Sequence, residues 1–228
     1  MSFFADFPGG RIIAQRLRAR ECFKSQSPLS SVVKNVPFTI IVDGPNFVNE
    51  LHRHGKDKEY IMNTFSFPIL HALIQRKLRE RGLYSHPFLH TEFICSNKDQ
   101  IGCFRGDERE ELLNKLSRER GVSVREISLS FEEGQEKGVD MFVFVKMLER
   151  GGPINHIVLI ASDKDYVPAI EALTKRGIHT VVVGFDDGQF PEELINESYL
   201  FIDMQELLEE LEERIEKRER RIQEENQS

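Results

Sequence analysis

Four aspartates in three short segments have the residue type and spacing of a divalent-metal site. Asp43 ends IIVD, Asp140 follows KGV, and Asp163 and Asp165 belong to LIASDKD. Mg²⁺ and Mn²⁺ prefer oxygen ligands, and several carboxylates stay close together only when a cation neutralises their repulsion. Such ions activate water and orient a phosphate for in-line displacement. The sequence contains no G-x-S-x-G elbow and no Walker loop that would suggest a different chemistry.

The elements that must position these acids alternate between strands and helices. Short apolar runs predict strands over residues 39–44, 89–95, 122–129, 156–162, 179–185 and 200–203. Amphipathic stretches that end near Gly, Arg or Pro predict helices over residues 60–81, 107–121, 139–150 and 165–176. This alternation predicts an α/β fold with a mainly parallel sheet that is covered on both faces. In such sheets, ligands bind beyond the carboxyl ends of the strands, near a topological switch point.

Each acid also has a structural interpretation. Ser162 or Asp163 is a suitable helix cap, and Asp165 and Asp140 favour the first turn of a helix. The stretch 43–46, Asp-Gly-Pro-Asn, has the composition of a turn. For any single acid the structural interpretation is preferred. Four acids that all follow strands or begin helices at one edge of a sheet favour a shared site instead.

Composition bounds the rest of the chain. It has 228 residues and a net charge of −7, with six basic and two acidic side chains in residues 1–36 and nine acidic and five basic ones in residues 204–228. Three scattered cysteines are too few for a disulfide framework or a zinc knuckle, which favours a reducing, cytoplasmic setting. No apolar stretch is long enough to span a bilayer, so no membrane partner is expected.

Two further patterns concern partners. Lys164, Arg105 and Arg109 are candidates to meet phosphates, as is a basic arm that contains Arg16, Arg18, Arg20 and Lys24. Tyr166 is a candidate for base stacking, although core packing is the commoner role for an aromatic at that position. Near the C terminus, residues at 3-4 spacing form one heptad stripe: Phe201, Met204, Leu208, Leu211, Ile215, Arg218 and Ile222. The stripe predicts either a helix docked by its first turns or a coiled-coil homodimer.

The segments around the acids resemble the NYN family of the PIN-like nuclease superfamily, especially its bacterial branch. The matching stretches are IIVDGPNF at 40–47, KGVDMFVFVKML at 137–148 and LIASDKDYVPAIEALTKRGIHTVVVGF at 159–185. The resemblance implies a Rossmann-like three-layer sandwich and Mg²⁺- or Mn²⁺-dependent cleavage of RNA. It covers roughly residues 37–203 and divides the chain into an arm at 1–36, this domain, and an acidic helix at 204–228.

The resemblance also implies roles for individual residues. The metal ligands and catalytic acids are Asp43, Asp140, Asp163 and Asp165, with Asn46 as a polar partner. Ser162, Lys164, Lys146 and Arg105 are the expected substrate-binding residues. Lys146 stands where many bacterial relatives carry another Asp, so one alternative is a catalytically inactive module that binds RNA or protein. A second alternative is a nuclease that acts on DNA, because related PIN-like domains do so.

Overall fold

One parallel sheet forms the centre of the domain. A computed structural model describes residues 37–83, 90–97, 100–128, 138–152 and 156–227. Within them the strands are β1 Phe38–Asp43, β2 His90–Ser96, β3 Gln100–Ile101, β4 Phe104–Arg105, β5 Val122–Ile127, β6 His156–Ile160, β7 Thr180–Gly184 and β8 Leu200–Asp203. Six of them form a sheet in the order β5-β2-β1-β6-β7-β8, and every neighbouring pair is parallel. The remaining two form a small antiparallel hairpin.

The strand order creates a topological switch point beside β1. The chain builds the sheet outward from β1 through β2 to β5, and then returns to add β6 on the opposite side of β1. Helices that follow β1 and β6 therefore lie on opposite faces of the sheet, and α/β sheets commonly bind ligands at such a point, beyond the carboxyl ends of the strands. The expected α/β, PIN-like sandwich with a mainly parallel sheet and a C-terminal helix is confirmed.

Helices cover both faces of the sheet because the strands are apolar on both faces. The helices are α1 Gly44–Arg53, α2 Phe67–Glu80, α3 Asp107–Arg118, α4 Val139–Arg150, α5 Val167–Lys175, α6 Glu192–Glu197 and α7 Met204–Gln227. Ile40 and Val42 point into a core with α1, α2, α3 and α7. Ile41, between them, points into a second core with α4, α5 and α6. Alternate residues of one strand thus serve two helical layers.

The turn expected at residues 43–46 is instead the start of a helix. α1 begins at Gly44 directly after β1, with Pro45 in its first turn and Asp43 as its N-cap. Proline lacks the N–H that the first turn leaves unpaired, so a composition typical of turns also suits a helix start. His52 lies in this helix, and His54 is the residue that ends it.

α1 starts in close contact with β2. A side-chain carbon at Gly44 would lie 2.6 Å from the Phe93 ring and 2.7 Å from the backbone oxygen of Ile94. Real side-chain carbons do not approach other atoms so closely. Only glycine lets the helix begin at this distance from the neighbouring strand.

The continuous helix predicted over residues 60–81 is wrong. A π-helical turn occupies Tyr60–Thr64, the chain is extended at Phe65 and Ser66, and α2 begins at Phe67. Pro68 in the first turn of α2 explains the break, because proline cannot supply the N–H that a continuous helix needs there. The apolar periodicity continues through the break, since Ile61 and Phe65 pack into the same core as α2.

The C-terminal helix docks through its first turns. Leu207, Leu208 and Leu211 are buried, whereas the side chains over residues 216–225 are exposed. Ion pairs join its acids to the domain, including Lys77 with Glu206 at 2.9 Å and Arg76 with Glu210. The expected docking of the first turns is thus observed, and dimerisation through the exposed remainder stays a prediction. No described helix combines the length and apolar character needed to cross a membrane.

Candidate metal centre at the carboxyl edge of the sheet

The predicted acids come together at the switch point. Asp43 is the last residue of β1, and Asp163 follows the end of the adjacent β6. Because Val42 pairs with Ile160, these two strands end side by side. Asp140 is the second residue of α4, on the face of the sheet that also carries α5. We call Asp43, Asp140, Asp163 and Asp165 the acidic cluster.

Asp43 is the buried member of the acidic cluster, with 3% of its surface exposed. Its Oδ2 accepts a hydrogen bond of 2.6 Å from the Tyr166 hydroxyl, and its Oδ1 accepts one of 3.1 Å from the Asn46 backbone N–H. Burial raises the pKa of Asp43 to about 6; these two hydrogen bonds lower it, and the charges of Asp140 and Asp163 raise it. The carboxyl group is therefore held in place, and among the described residues no positive charge lowers its pKa.

Asp140 lies above Asp43 at the start of α4. Although the residue is exposed as a whole, its carboxyl Oδ1 is 3.5 Å from the Tyr166 hydroxyl. Partial burial of this group raises its pKa, and the charges of Asp163 and then Asp165 add to the effect. Asp140 thus feels the field of the other acids, as expected if they share one space.

Asp163 and Asp165 lie on the loop that leaves β6. Asp163 caps a 3-10 turn, Lys164–Tyr166, by accepting a hydrogen bond of 2.9 Å from the Asp165 N–H. α5 follows this turn directly. The capping role considered from the sequence is therefore real for Asp163, as it is for Asp43. Capping leaves one carboxylate oxygen of Asp163 free of that bond.

Asn46 links the ends of β1 and β6. Its side-chain oxygen accepts hydrogen bonds from the N–H of Ser162 at 2.9 Å and from the Ser162 hydroxyl at 3.1 Å. Its own N–H donates to Asp43, as noted above. Asn46 and Ser162, predicted as catalytic and substrate-binding residues, therefore also fix the two strand ends relative to each other.

Tyr166 is the site residue whose role sequence reasoning missed. Its ring is 1% exposed and packs in the core with α4 and α5, which agrees with the core interpretation. Its hydroxyl, however, contacts Asp43 and approaches Asp140. Burial, followed by the charge of Asp43, raises the pKa of Tyr166 far above its ordinary value, so the hydroxyl remains a donor. Its place three residues after Asp163, at the start of a helix, was the available signal.

The other predicted residues have different surroundings. Lys164 is exposed within the loop of the acidic cluster. Lys146 lies further along α4, where its ammonium pairs with Glu149 and stands 5.2 Å from the centre of the Phe142 ring. Arg105 is exposed on β4. Arg109, by contrast, is buried and donates to the Ser96 backbone oxygen and to Glu126. The basic arm at residues 1–36 lies outside the described residues.

The acidic cluster fits a cation held by few direct ligands. Within the described ranges, no three Asp, Glu, His or Cys side chains are already arranged to hold a metal ion. Mg²⁺ keeps several of its waters and is often held by only one or two carboxylates. The raised pKa values of Asp43 and Asp140 point the same way, because a nearby cation would relieve the burial and repulsion that cause them.

Comparison with known proteins supports the interpretation of the fold and places the chain in a family. The family model of the NYN domain matches residues 40–209. A search of curated proteins found no match. A solved structure of a protein of unknown function from Vibrio parahaemolyticus is similar, with a TM-score of 0.54 and 14% sequence identity, and the match covers 77% of this chain and 96% of that chain. At this identity the similarity concerns the fold alone. The match over residues 40–209 shows that the chain belongs to the NYN domain family, a nuclease-like family of the PIN-like superfamily.

Proposed function

We propose that this chain is a metal-dependent nuclease, a hydrolase that cleaves RNA phosphodiester bonds at the acidic cluster. The observation that carries the proposal is the electrostatic state of Asp43 and Asp140. Both carboxyl groups lie at the switch point, and burial and neighbouring acids raise the pKa of each. Perturbed acids in a ligand-binding crevice are typical of functional sites. Helix capping alone does not require neighbouring acids to raise the pKa of either group.

The chain's own residues would divide the work. Asp43 and Asp140 are the proposed direct ligands, because they share contact with one tyrosine hydroxyl. Asp163 and Asp165 add negative charge beside them. Asn46 and Ser162 hold the strand ends that carry these groups. A bound Mg²⁺ or Mn²⁺ supplies the activation of a water molecule and neutralises charge on the phosphate.

Substrate guidance must overcome the negative charge of the acidic cluster. Lys164 is exposed between two of its acids, so we propose that it contacts a phosphate of the substrate. Attack by water, with the 3′ oxygen as the leaving group, yields a 5′-phosphate and a 3′-hydroxyl. This route does not use the ribose 2′-hydroxyl, so preference for RNA over DNA must come from contacts outside the reacting bond.

The test is cleavage of RNA by the purified chain in Mg²⁺ or Mn²⁺. We expect Asp43→Asn and Asp140→Asn to reduce the rate by more than the roughly 10–100-fold that loss of an outer-shell partner causes. Asp187→Asn is the matched control, since Asp187 lies beyond the end of β7 but is neutralised by Arg53 at 2.9 Å. The control should cleave at the wild-type rate. Equal cleavage by all three variants would refute the assignment.

The products and the choice of substrate separate the remaining alternatives. Ends that carry a 5′-phosphate support hydrolysis by water, whereas a 2′,3′-cyclic phosphate would contradict it. DNA of the same sequence, assayed in parallel, distinguishes a ribonuclease from a DNA nuclease. Metal binding without turnover of either polymer would favour a module that binds RNA or protein.

A further inference from the structure

The Tyr166 hydroxyl is the point where two acids of the cluster meet. It donates to Asp43 Oδ2 at 2.6 Å and lies 3.5 Å from Asp140 Oδ1. A phenol hydroxyl has one hydrogen to donate, so the short bond to Asp43 is its main contact. The longer distance shows that Asp140 lies next to the same oxygen atom.

The position of this hydroxyl is fixed from two directions. The ring is buried with Val143 of α4 and Ile170 of α5, which leaves it little freedom to move. The backbone of Tyr166 belongs to the 3-10 turn that Asp163 caps. Asp163 therefore fixes the start of the turn, and the turn places the Tyr166 hydroxyl next to Asp43 at the end of β1.

Two donors determine how the Asp43 carboxyl group is oriented. The Asn46 N–H holds Oδ1 and the Tyr166 hydroxyl holds Oδ2, so each oxygen has one fixed partner. A carboxylate oxygen has two lone pairs, and each oxygen can still accept one further interaction. Both fixed donors are neutral, so they orient the group without supplying a positive charge.

We propose that Tyr166 is a positioning residue, whose hydroxyl holds Asp43 in the orientation needed to share a divalent cation with Asp140. The inference rests on the proposed metal-dependent function and adds a residue to it. Donors that orient a metal ligand are expected to govern affinity for the ion, because an unheld carboxylate must lose rotational freedom when the ion binds. The effect should therefore include a loss of metal affinity, which a purely structural hydrogen bond would not cause.

The experiment is a Mn²⁺ titration of the full chain after removal of metal, in which free Mn²⁺ is followed by electron paramagnetic resonance. Tyr166→Phe keeps the ring and deletes the hydroxyl. We expect its Mn²⁺ dissociation constant to rise roughly 10–100-fold. Tyr60→Phe is the control, since the Tyr60 hydroxyl faces Glu212 of α7 and not the acidic cluster. The control should bind Mn²⁺ as the wild type does, and Asp43→Asn should lose binding.

A second readout separates positioning from a purely structural role. RNA cleavage by Tyr166→Phe should require more Mn²⁺ but should approach the wild-type rate once the ion saturates. A variant whose melting temperature without metal falls while its Mn²⁺ affinity stays unchanged would overturn the inference. So would a wild-type chain that binds no Mn²⁺.

The two proposals fail in different ways. Wild-type protein that binds Mn²⁺ through Asp43 but cleaves neither RNA nor DNA would refute the nuclease proposal, and the titration would still decide the role of Tyr166. Conversely, RNA cleavage that depends on Asp43, with Mn²⁺ affinity unchanged in Tyr166→Phe, would support the nuclease and refute the positioning role.

Discussion

The two edges of the central sheet both bury ionisable side chains, but they resolve the cost differently. At the carboxyl edge, burial and mutual repulsion raise the pKa of Asp43 to about 6. At the amino edge, His156 begins β6, and its ring lies 5.4 Å from that of Phe38 and 4.7 Å from that of His179. Burial, together with the nearby His179, lowers the pKa of His156 to about 4.

The difference is whether the protein itself compensates the burial of the ionisable group. A histidine can become neutral at physiological pH, and its Nδ1 then accepts the backbone N–H of His179 at 2.9 Å, so this buried ring nitrogen is satisfied by the protein alone. An aspartate with a pKa of about 6 is still mostly ionised at neutral pH. Its cost persists until a proton or a cation arrives. The protein thus compensates the burial of His156 by itself, and we propose that a cation compensates the burial of Asp43.

The largest effect on stability is expected when the charge of Asp43 is removed, and this effect tests whether the carboxyl edge differs from the amino edge as described. Because its pKa is raised by burial, stability without metal should be greatest below about pH 4 and should fall as the pH rises through about 6. In the presence of a chelator, Asp43→Asn should therefore be more stable than the wild type at pH 8 by up to about 3 kcal/mol. Urea unfolding from pH 4 to 8 measures the difference. A variant that is less stable at pH 8 would show that the two hydrogen bonds to Asp43 outweigh its burial.

The amino edge should show the opposite pH dependence. His156 has a lowered pKa, so the stability that it supports is present above its ordinary value of 6.5 and is lost as the pH falls toward 4. His156→Gln does not titrate and keeps an acceptor for the His179 N–H. We expect the variant to lose about 2 kcal/mol less than the wild type between pH 7 and pH 4.5. His52→Gln, at an exposed helical position, is the control and should unfold like the wild type.

The affinity of the acidic cluster for a metal ion should also depend on pH. A proton and a cation compete for Asp43, so Mn²⁺ affinity should fall about tenfold per pH unit once the pH drops below the pKa. That pKa is about 6. Calorimetric titration at pH 7, 6 and 5 tests this expectation. An affinity that does not change over this range would exclude Asp43 as a ligand.

The smallest effect is expected for a substitution of Lys146, which lies further along α4 than Asp140. Lys146 pairs with Glu149 on the helix surface. Such pairs contribute little, so Lys146→Gln, which keeps most of the partly buried side chain, should leave the free energy of unfolding almost unchanged. Its Mn²⁺ affinity should equal that of the wild type. A raised KM for RNA in this variant would instead support the predicted contact between Lys146 and the substrate.

The fold and the convergence of the acids could be predicted because both follow from backbone periodicity. Apolar runs located all six strands of the sheet, and parallel strands bring Asp43 and Asp163 to one edge without any knowledge of side-chain contacts. The role of Tyr166 could not be found in this way. It depends on the direction of one hydroxyl in the core, and that direction is set by the 3-10 turn and by two packed helices.

Local composition misled the prediction where one residue type serves two structures. Both differences involve a proline. Pro45 is compatible with a turn and with the first turn of α1, and Pro68 lies in the first turn of α2 within an otherwise periodic stretch. In each case the contacts of the flanking residues with the sheet decide the outcome. Such contacts join residues far apart along the chain, so a local window does not contain them.

The close approach of α1 to β2 has a consequence for how the chain can vary. Gly44 touches neither Asp140 nor Tyr166 in any contact described above, yet a methyl group there would press on Phe93 and on the backbone of Ile94. To avoid this clash, α1 would have to move away from β2. Asn46, two residues after Gly44 in α1, would then move away from Ser162. The arrangement of the acidic cluster should thus be sensitive to any side chain added at position 44, although Gly44 itself supplies no side-chain group to the cluster.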